Sequence, residues 1–263
     1  MTNVDSWRPG QYERFKDERT RPFHDLLALV DPLDGGRAVD LGCGTGELTA
    51  ILHRAVGAAE TVGIDSSAAM LERSAELAGD GLTFRHGDID DFDATGALDL
   101  VFANAAFQWV PDHEALLPRL TRALRAGGQL AVQMPYNADH ASHRLVLEVA
   151  GEEPFRAVLS DPPLRDSVRQ VLAPERYAQL LHDLGYAEQT VRMQIYGHVL
   201  ESTAAVVEWT KGTTLTPVRA RLDETAYDEF LVRYRDALVD ELGDQRPYFY
   251  AFKRILFHAR LRV

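Results

Sequence analysis

The sequence predicts an α/β protein: a doubly wound sheet of seven strands, with helical insertions after the fifth strand and between the sixth and seventh. Three observations carry this expectation. Short β-rich runs alternate with helical patterns through Pro135, which implies right-handed crossovers and a parallel sheet covered on both faces. A glycine-rich turn joins the first strand to its helix. After Pro135 the rhythm breaks into irregular helix before two longer β-patterns return.

Taken in order, "RAVDL" (37–41) is the first strand and "GELTAILHRAV" its helix. "ETVGID" (60–65) is the second strand, followed by "SSAAMLERSAELA", a helix that Ser66 or Ser67 can cap. "LTFRHGD" (82–88) and "LDLVFAN" (98–104) are the third and fourth strands. "DHEALLPRLTRALRAGG" reads as a helix capped by Asp112 and stopped at Gly127-Gly128, and "QLAVQMP" (129–135) is the fifth strand. Residues 137–172 look helical but are broken by Pro154, Pro162 and Pro163. "APERYAQLLHDLGY" resumes as a helix, and strands at about 188–199 and 248–261 complete the sheet. The expected divisions are an N-terminal helical lid (1–30), a core (31–136), a helical insertion (137–172), the core continued (173–199), a second insertion (200–247) and the last strand (248–263). Ligands of open α/β sheets lie beyond the carboxyl ends of the strands, so insertions that begin there are placed to roof the crevice.

Composition narrows the partners. Lys and Arg total 28 against 40 Asp and Glu, a formal charge of −12, with no basic run to offset it. Such a surface repels nucleic-acid backbones and anionic lipid. The single cysteine, Cys43, excludes an intrachain disulfide and suits a reducing compartment. No apolar window resembles a signal peptide or a membrane span, so a soluble cytoplasmic protein is expected. No metal-ligand pattern stands out, and oligomeric state is not legible.

The strongest motif is "VDLGCGTGELT" (39–49). Gly42, Gly44 and Gly46 permit positive φ and close approach of a ligand to the backbone. The spacing is not that of a phosphate-binding P-loop, and Asp40 beside the turn suits a cationic or amine-bearing ligand better than a pyrophosphate. The second strand ends in Asp65, placed like the acid that binds ribose hydroxyls in doubly wound folds, with Ser66 beside it. The third ends at Asp88, suited to an adenine amine, with Ile89 against the ring. Each acid alone could be a helix cap, but three at successive strand ends behind a triple-glycine turn describe a site for S-adenosylmethionine.

On "DLGCGTG", "GIDSS" and "GDIDDF" the chain resembles class I S-adenosylmethionine-dependent methyltransferases, and so implies their Rossmann-like sheet. A narrower resemblance, to the trans-aconitate 2-methyltransferase family, runs through "WRPGQYERFKDERTRPFHDLLALV", "FANAAFQWVPDHEALLPRL", "GGQLAVQMPYN", "AVVEWTKGTTLTP" and "FYAFKRILFHARL". It implies methyl transfer to a carboxylate of a small polycarboxylic acid, giving a monomethyl ester and S-adenosylhomocysteine. A carboxylate, with an ordinary pKa of about 4, needs no general base. No catalytic acid–base residue is therefore expected, only positioning by Gln108 and Trp109.

The remaining candidates follow from that reading. Asn104 and the Ala103 carbonyl would contact the cofactor's methionine portion, and Tyr12 and Arg21 would belong to an ordered N-terminal lid, with Arg21 holding a carboxylate. Arg19, Phe107, Gln108, Trp109, Tyr136, His140 and His198 are the acceptor-side candidates, arginine being the preferred partner of a carboxylate. His143, Arg246 and Arg254 are further candidates, each of which would otherwise be a solvated surface group. Phe107 and Tyr136 depart from the family pattern, where a leucine and a small residue are expected; they would either reshape the acceptor pocket or pack under the lid as core. The alternatives are a methyltransferase of the same scaffold acting on another acid or on an N or O nucleophile, and a cofactor-binding protein without catalysis.

Overall fold

The computed structural model describes residues 16–164 and 167–263. Its single sheet has seven strands in the order β3-β2-β1-β4-β5-β7-β6. They are β1 (Arg37–Leu41), β2 (Glu60–Asp65), β3 (Leu82–His86), β4 (Leu98–Asn104), β5 (Leu124–Pro135), β6 (Tyr186–Leu200) and β7 (Tyr248–Leu261). β1 pairs in parallel with β2 and β4, β2 with β3, and β4 with β5, while β7 runs antiparallel to β5. The direction of winding reverses between β1 and β4, which makes the carboxyl ends of those two strands the switch point.

The strands read as they do because helices cover them. Four of the five residues of β1 and five of the seven of β4 are buried, as the unbroken apolar runs require of strands with no solvent face. The flanking helices are α1 (Lys16–Leu27), α2 (Glu47–Val56), α3 (Ala68–Ser74) and α4 (His113–Ala123). Ser67 caps α3 by accepting from the Met70 amide, and Asp112 caps α4 by accepting from that of Ala115. α1 places Phe23 edge-on against Phe102 of β4, with ring centroids 5.6 Å apart.

One expectation is corrected. Gly127-Gly128 does not stop α4, which ends at Ala123. Leu124, 4% exposed, already pairs with Leu98, and the register then jumps to Leu100 opposite Gln129. The intervening residues form an irregularity in β5, and Gly127 uses its positive φ of 75° there.

Two compact units emerge. The sheet unit comprises residues 17–135, 170–194 and 254–263; the helical unit contains 136–169 and 195–253. The helical unit has its own apolar core, drawn from α5 (Ala141–Ala150), α6 (Arg156–Leu159), α8 (Val206–Lys211), α9 (Thr216–Arg219) and the 19-residue α10 (Glu224–Leu242), with Tyr248, Tyr250 and Phe252. α7 (Pro174–Asp183) belongs to the sheet unit. Among the described residues no helix is long and apolar enough to cross a membrane.

Candidate active site

The turn after β1 is shaped by its three glycines, and each is constrained differently. All have positive φ, 80° at Gly42, 56° at Gly44 and 78° at Gly46. A Cβ on Gly42 would lie 2.3 Å from that of Ala106, and one on Gly46 would lie 2.6 Å from the Phe84 ring. These two glycines are pressed against the protein. Gly44 would meet nothing within 4 Å, so the turn is open to a ligand at its tip. Gly42→Ala is therefore expected to cost about 2–4 kcal/mol, combining overpacking with backbone strain, whereas Gly44→Ala costs only about 1 kcal/mol. Thermal unfolding of the two variants checks this: Gly44→Ala melts within a few degrees of wild type and Gly42→Ala well below it.

Carboxylates surround this opening. Asp65, at the end of β2, accepts from the Gly44 amide through Oδ2 and from the Ser67 amide through Oδ1, both at 2.8 Å. Each oxygen keeps a further lone pair, the pattern needed to take the two hydroxyls of a ribose. Asp40, 4% exposed in β1, accepts from the Thr49 hydroxyl at 2.6 Å. Burial raises its pKa from an ordinary 3.8 to about 7; the Thr49 hydrogen bond opposes this and the neighbouring Asp65 adds to it. A cationic ligand favours the ionised form and so opposes both the burial and the Asp65 repulsion, and these acids fit a sulfonium or an ammonium group. Cys43 is inert by the same reasoning, since burial and then Asp40 and Asp65 push its thiol pKa up.

Asp88 is exposed and accepts from the Asp90 amide at 2.9 Å. Ile89 lies beside the turn, its Cδ1 3.9 Å from where a Gly42 Cβ would be, and its carbonyl is held by Arg119 at 3.2 Å. Ser66 is exposed. On the other side of the switch point, half-buried Asn104 ends β4 and accepts from Gln133 Nε2 at 2.7 Å. The following Ala105 has a positive φ of 56°, and Gln108 Nε2 donates to its carbonyl at 2.6 Å.

The sequence and the fold have counterparts among known proteins. A family model described as a methyltransferase domain matches residues 38–128. A trans-aconitate 2-methyltransferase from Deinococcus radiodurans is 44% identical over 97% of this chain and 98% of its own length. The chain belongs to the trans-aconitate 2-methyltransferase family. Relatives of that name from Methylobacterium radiotolerans and Paracidovorax citrulli are each 42% identical; the former covers 88% of both chains, the latter 97% of this chain and 98% of its own. Among solved structures, the YcgJ protein from Bacillus subtilis superposes with a TM-score of 0.62 at 14% identity, covering 92% of this chain and 99% of its own. A geranyl diphosphate C-methyltransferase from Streptomyces coelicolor gives 0.53 at 17% identity, covering 95% and 80%. At such identities the structures attest the fold alone.

Within this member of the trans-aconitate 2-methyltransferase family, the acceptor-side residues expected from sequence fall into different settings. Phe107 is fully buried, its ring 5.9 Å from that of His113, and offers no surface to a ligand. Gln108 is 5% exposed, and its Oε1 is buried without a hydrogen-bond partner among the described residues. Trp109 is 40% exposed. Arg21 is exposed on α1. Tyr12 lies outside the described residues, as does the side chain of Arg19. In the helical unit, Tyr136 is half-buried and its amide donates to the Lys253 carbonyl at 2.9 Å. His140 caps α5 by accepting from the Ser142 amide and reaches the Tyr248 hydroxyl at 3.1 Å; burial lowers its pKa. His198 is 8% exposed with its ring 4.4 Å from Trp209.

Three residues of the sheet unit escaped the sequence reading of their setting. Thr49 holds Asp40; Gln133 holds Asn104; and Arg254, weighed against a solvated surface charge, is 7% exposed and donates to Gln133 at 2.8 Å. A glutamine in the middle of "QLAVQMP" was the available signal, because a polar residue in a two-sided buried strand needs partners.

Proposed function

We propose that the protein is an S-adenosylmethionine-dependent carboxyl O-methyltransferase that converts trans-aconitate, or a closely related small polycarboxylic acid, to its monomethyl ester. The observation that carries this reading is the 44% identity to a trans-aconitate 2-methyltransferase over nearly the whole of both chains. When bound, S-adenosylmethionine supplies a sulfonium methyl, whose carbon–sulfur bond breaks as a carboxylate oxygen bonds to the carbon.

The chain's own part is positioning. In this reading Gly44 admits the cofactor to the turn, Asp65 takes the ribose hydroxyls, Asp88 and Ile89 receive the adenine, and Asp40 balances the positive charge. Asn104 meets a carboxylate beside the methyl. Exposed Trp109 forms the apolar wall that excludes water, and Arg21 with Arg19 supplies cationic charge for the acid. Ser66, Gly42, Gly46 and Gln108 complete the residue set proposed in the sheet unit, with fully buried Phe107 backing it from the core; Tyr12, Tyr136, His140 and His198 are proposed on the sequence alone. No group is asked to remove a proton, because the acceptor is already ionised at neutral pH. Alignment of an ionised nucleophile with the methyl supplies the rate enhancement. A cytoplasmic setting belongs to the same reading and accords with the single cysteine.

The test is incubation with methyl-labelled S-adenosylmethionine and a panel of di- and tricarboxylic acids. Label is expected in a base-labile ester, with trans-aconitate among the best acceptors. Retained cofactor binding with no transfer to any carboxylate would overturn the proposal.

A further inference from the structure

We infer that the buried pair Arg254–Gln133 fixes Asn104 as a hydrogen-bond donor toward a ligand carboxylate, which makes Gln133 and Arg254 positioning residues of the transfer site. The inference deepens, and rests on, the carboxyl-methyltransferase reading above.

The order of the chain of hydrogen bonds is forced by chemistry. Arg254 Nη1 donates to Gln133 Oε1 at 2.8 Å, and Gln133 Nε2 donates to Asn104 Oδ1 at 2.7 Å. A guanidinium has donors only, so the carbonyl end of Gln133 must face it. The amide nitrogen of Gln133 then faces Asn104, which must answer with Oδ1. Nδ2 is left as the end of Asn104 directed away from Gln133. Gln133 is fully buried and Arg254 nearly so, and neither amide can turn over without placing like ends together.

The position of Asn104 gives this polarity a purpose. It ends β4 at the switch point, half-buried, and the two residues after it are fixed. The Ala105 amide donates to the Gln133 carbonyl at 2.8 Å, and Ala106 sits in the space left by the missing side chain of Gly42. Nδ2 is thus a donor set beside the glycine turn and polarised by a buried cation two hydrogen bonds away. It disfavours an ammonium group and favours a carboxylate. Two carboxylates qualify, that of the acceptor acid and that of the cofactor's amino-acid portion.

Gln133→Glu in the full chain inverts the polarity without changing shape. Its carboxylate accepts from Arg254 and from Asn104 Nδ2, so that Oδ1 now faces the ligand. At least a tenfold rise is expected in either the KM for the acid or the Kd for S-adenosylhomocysteine measured by calorimetry, with kcat reduced less than threefold. A raised KM alone identifies the acceptor's carboxylate, and a raised Kd identifies the cofactor's. Asn104→Asp keeps the Gln133 bond and replaces the outward Nδ2 by an oxygen, so it must weaken the same constant. Arg254→Lys, which retains a donor, is expected to preserve most of the affinity. A purely structural role would lower the melting temperature and leave both constants alone. Either folded variant, Gln133→Glu or Asn104→Asp, with both constants within twofold of wild type overturns the inference. If the wild type methylates no carboxylate, the functional reading fails separately, and the Kd still decides the relay: weakened binding supports it and unchanged binding overturns it.

Discussion

Asp65→Ala is expected to weaken S-adenosylhomocysteine binding a hundredfold or more. The carboxylate does two things at once. It is proposed to receive the ribose hydroxyls, and hydrogen bonds to a charged group are worth about 1.5–3 kcal/mol each, so two of them account for a factor of a hundred or more. It also accepts from the Gly44 amide, at the tip of the turn, and from the Ser67 amide, at the start of α3. Alanine leaves both amides without that acceptor, so the turn loses its shape as well as its charge. Asp65→Asn is the intermediate case, because it loses the charge and its one remaining oxygen can serve only one of the two amides. Calorimetric titration should rank wild type, Asn and Ala in that order of affinity. Alanine and wild-type affinities within threefold of each other would remove Asp65 from the site.

Asp40→Asn is expected to make the ligand-free protein more stable while weakening its hold on the cofactor. With the folded-state pKa raised from 3.8 to about 7, the folded protein retains a proton that the unfolded chain has already released. The stability contributed by this group is fully present below pH 3.8 and is lost progressively as pH rises to about 7. At about 1.4 kcal/mol per pH unit the loss amounts to about 4 kcal/mol. Asparagine keeps an acceptor for Thr49 and has no charge to desolvate. Its advantage in melting temperature should therefore grow between pH 4 and 7 and level off above, reaching roughly 10 °C. A difference between the two proteins that is flat with pH would refute this account. Cofactor binding moves the other way, because a bound cation favours ionised Asp40: wild-type affinity should rise between pH 6 and 8, and that rise should vanish in the variant.

How legible these groups were in the sequence depended on how local their interactions are. The glycine turn and the Asp112 cap are decided within a few residues and could be read directly, and the other cap could be narrowed to Ser66 or Ser67, of which the structure uses Ser67. Gly127-Gly128 misled because a local stop signal competed with a distant partner: Leu98 draws Leu124 into the sheet before the glycines are reached. For Phe107 the sequence left both an acceptor-pocket place and a core place open; the 3₁₀ turn Phe107–Trp109 buries it fully and leaves Trp109 40% exposed. Its carbonyl accepts from His113 Nε2 at 2.7 Å, and His113 in turn reaches the Tyr177 hydroxyl, 64 residues on. Gln133 and Arg254 are 121 residues apart. Strand periodicity says which face a residue occupies, never which strand will lie alongside it, so neither the relay nor the burial of Arg254 could be derived.

β7 holds a consequence for the order of synthesis. Its first residues, Tyr248, Tyr250 and Phe252, belong to the core of the helical unit, and Arg254–Arg260 pair with Gln129–Pro135 of β5. A nascent chain that has reached only residue 247 therefore carries the glycine turn and every acid around it, but lacks the cation that orients Asn104 and three aromatics of the other core. Both units wait on the same late-emerging strand. Until it leaves the ribosome, the edge of β5 that it covers stays unpaired, a strand edge open to mispairing.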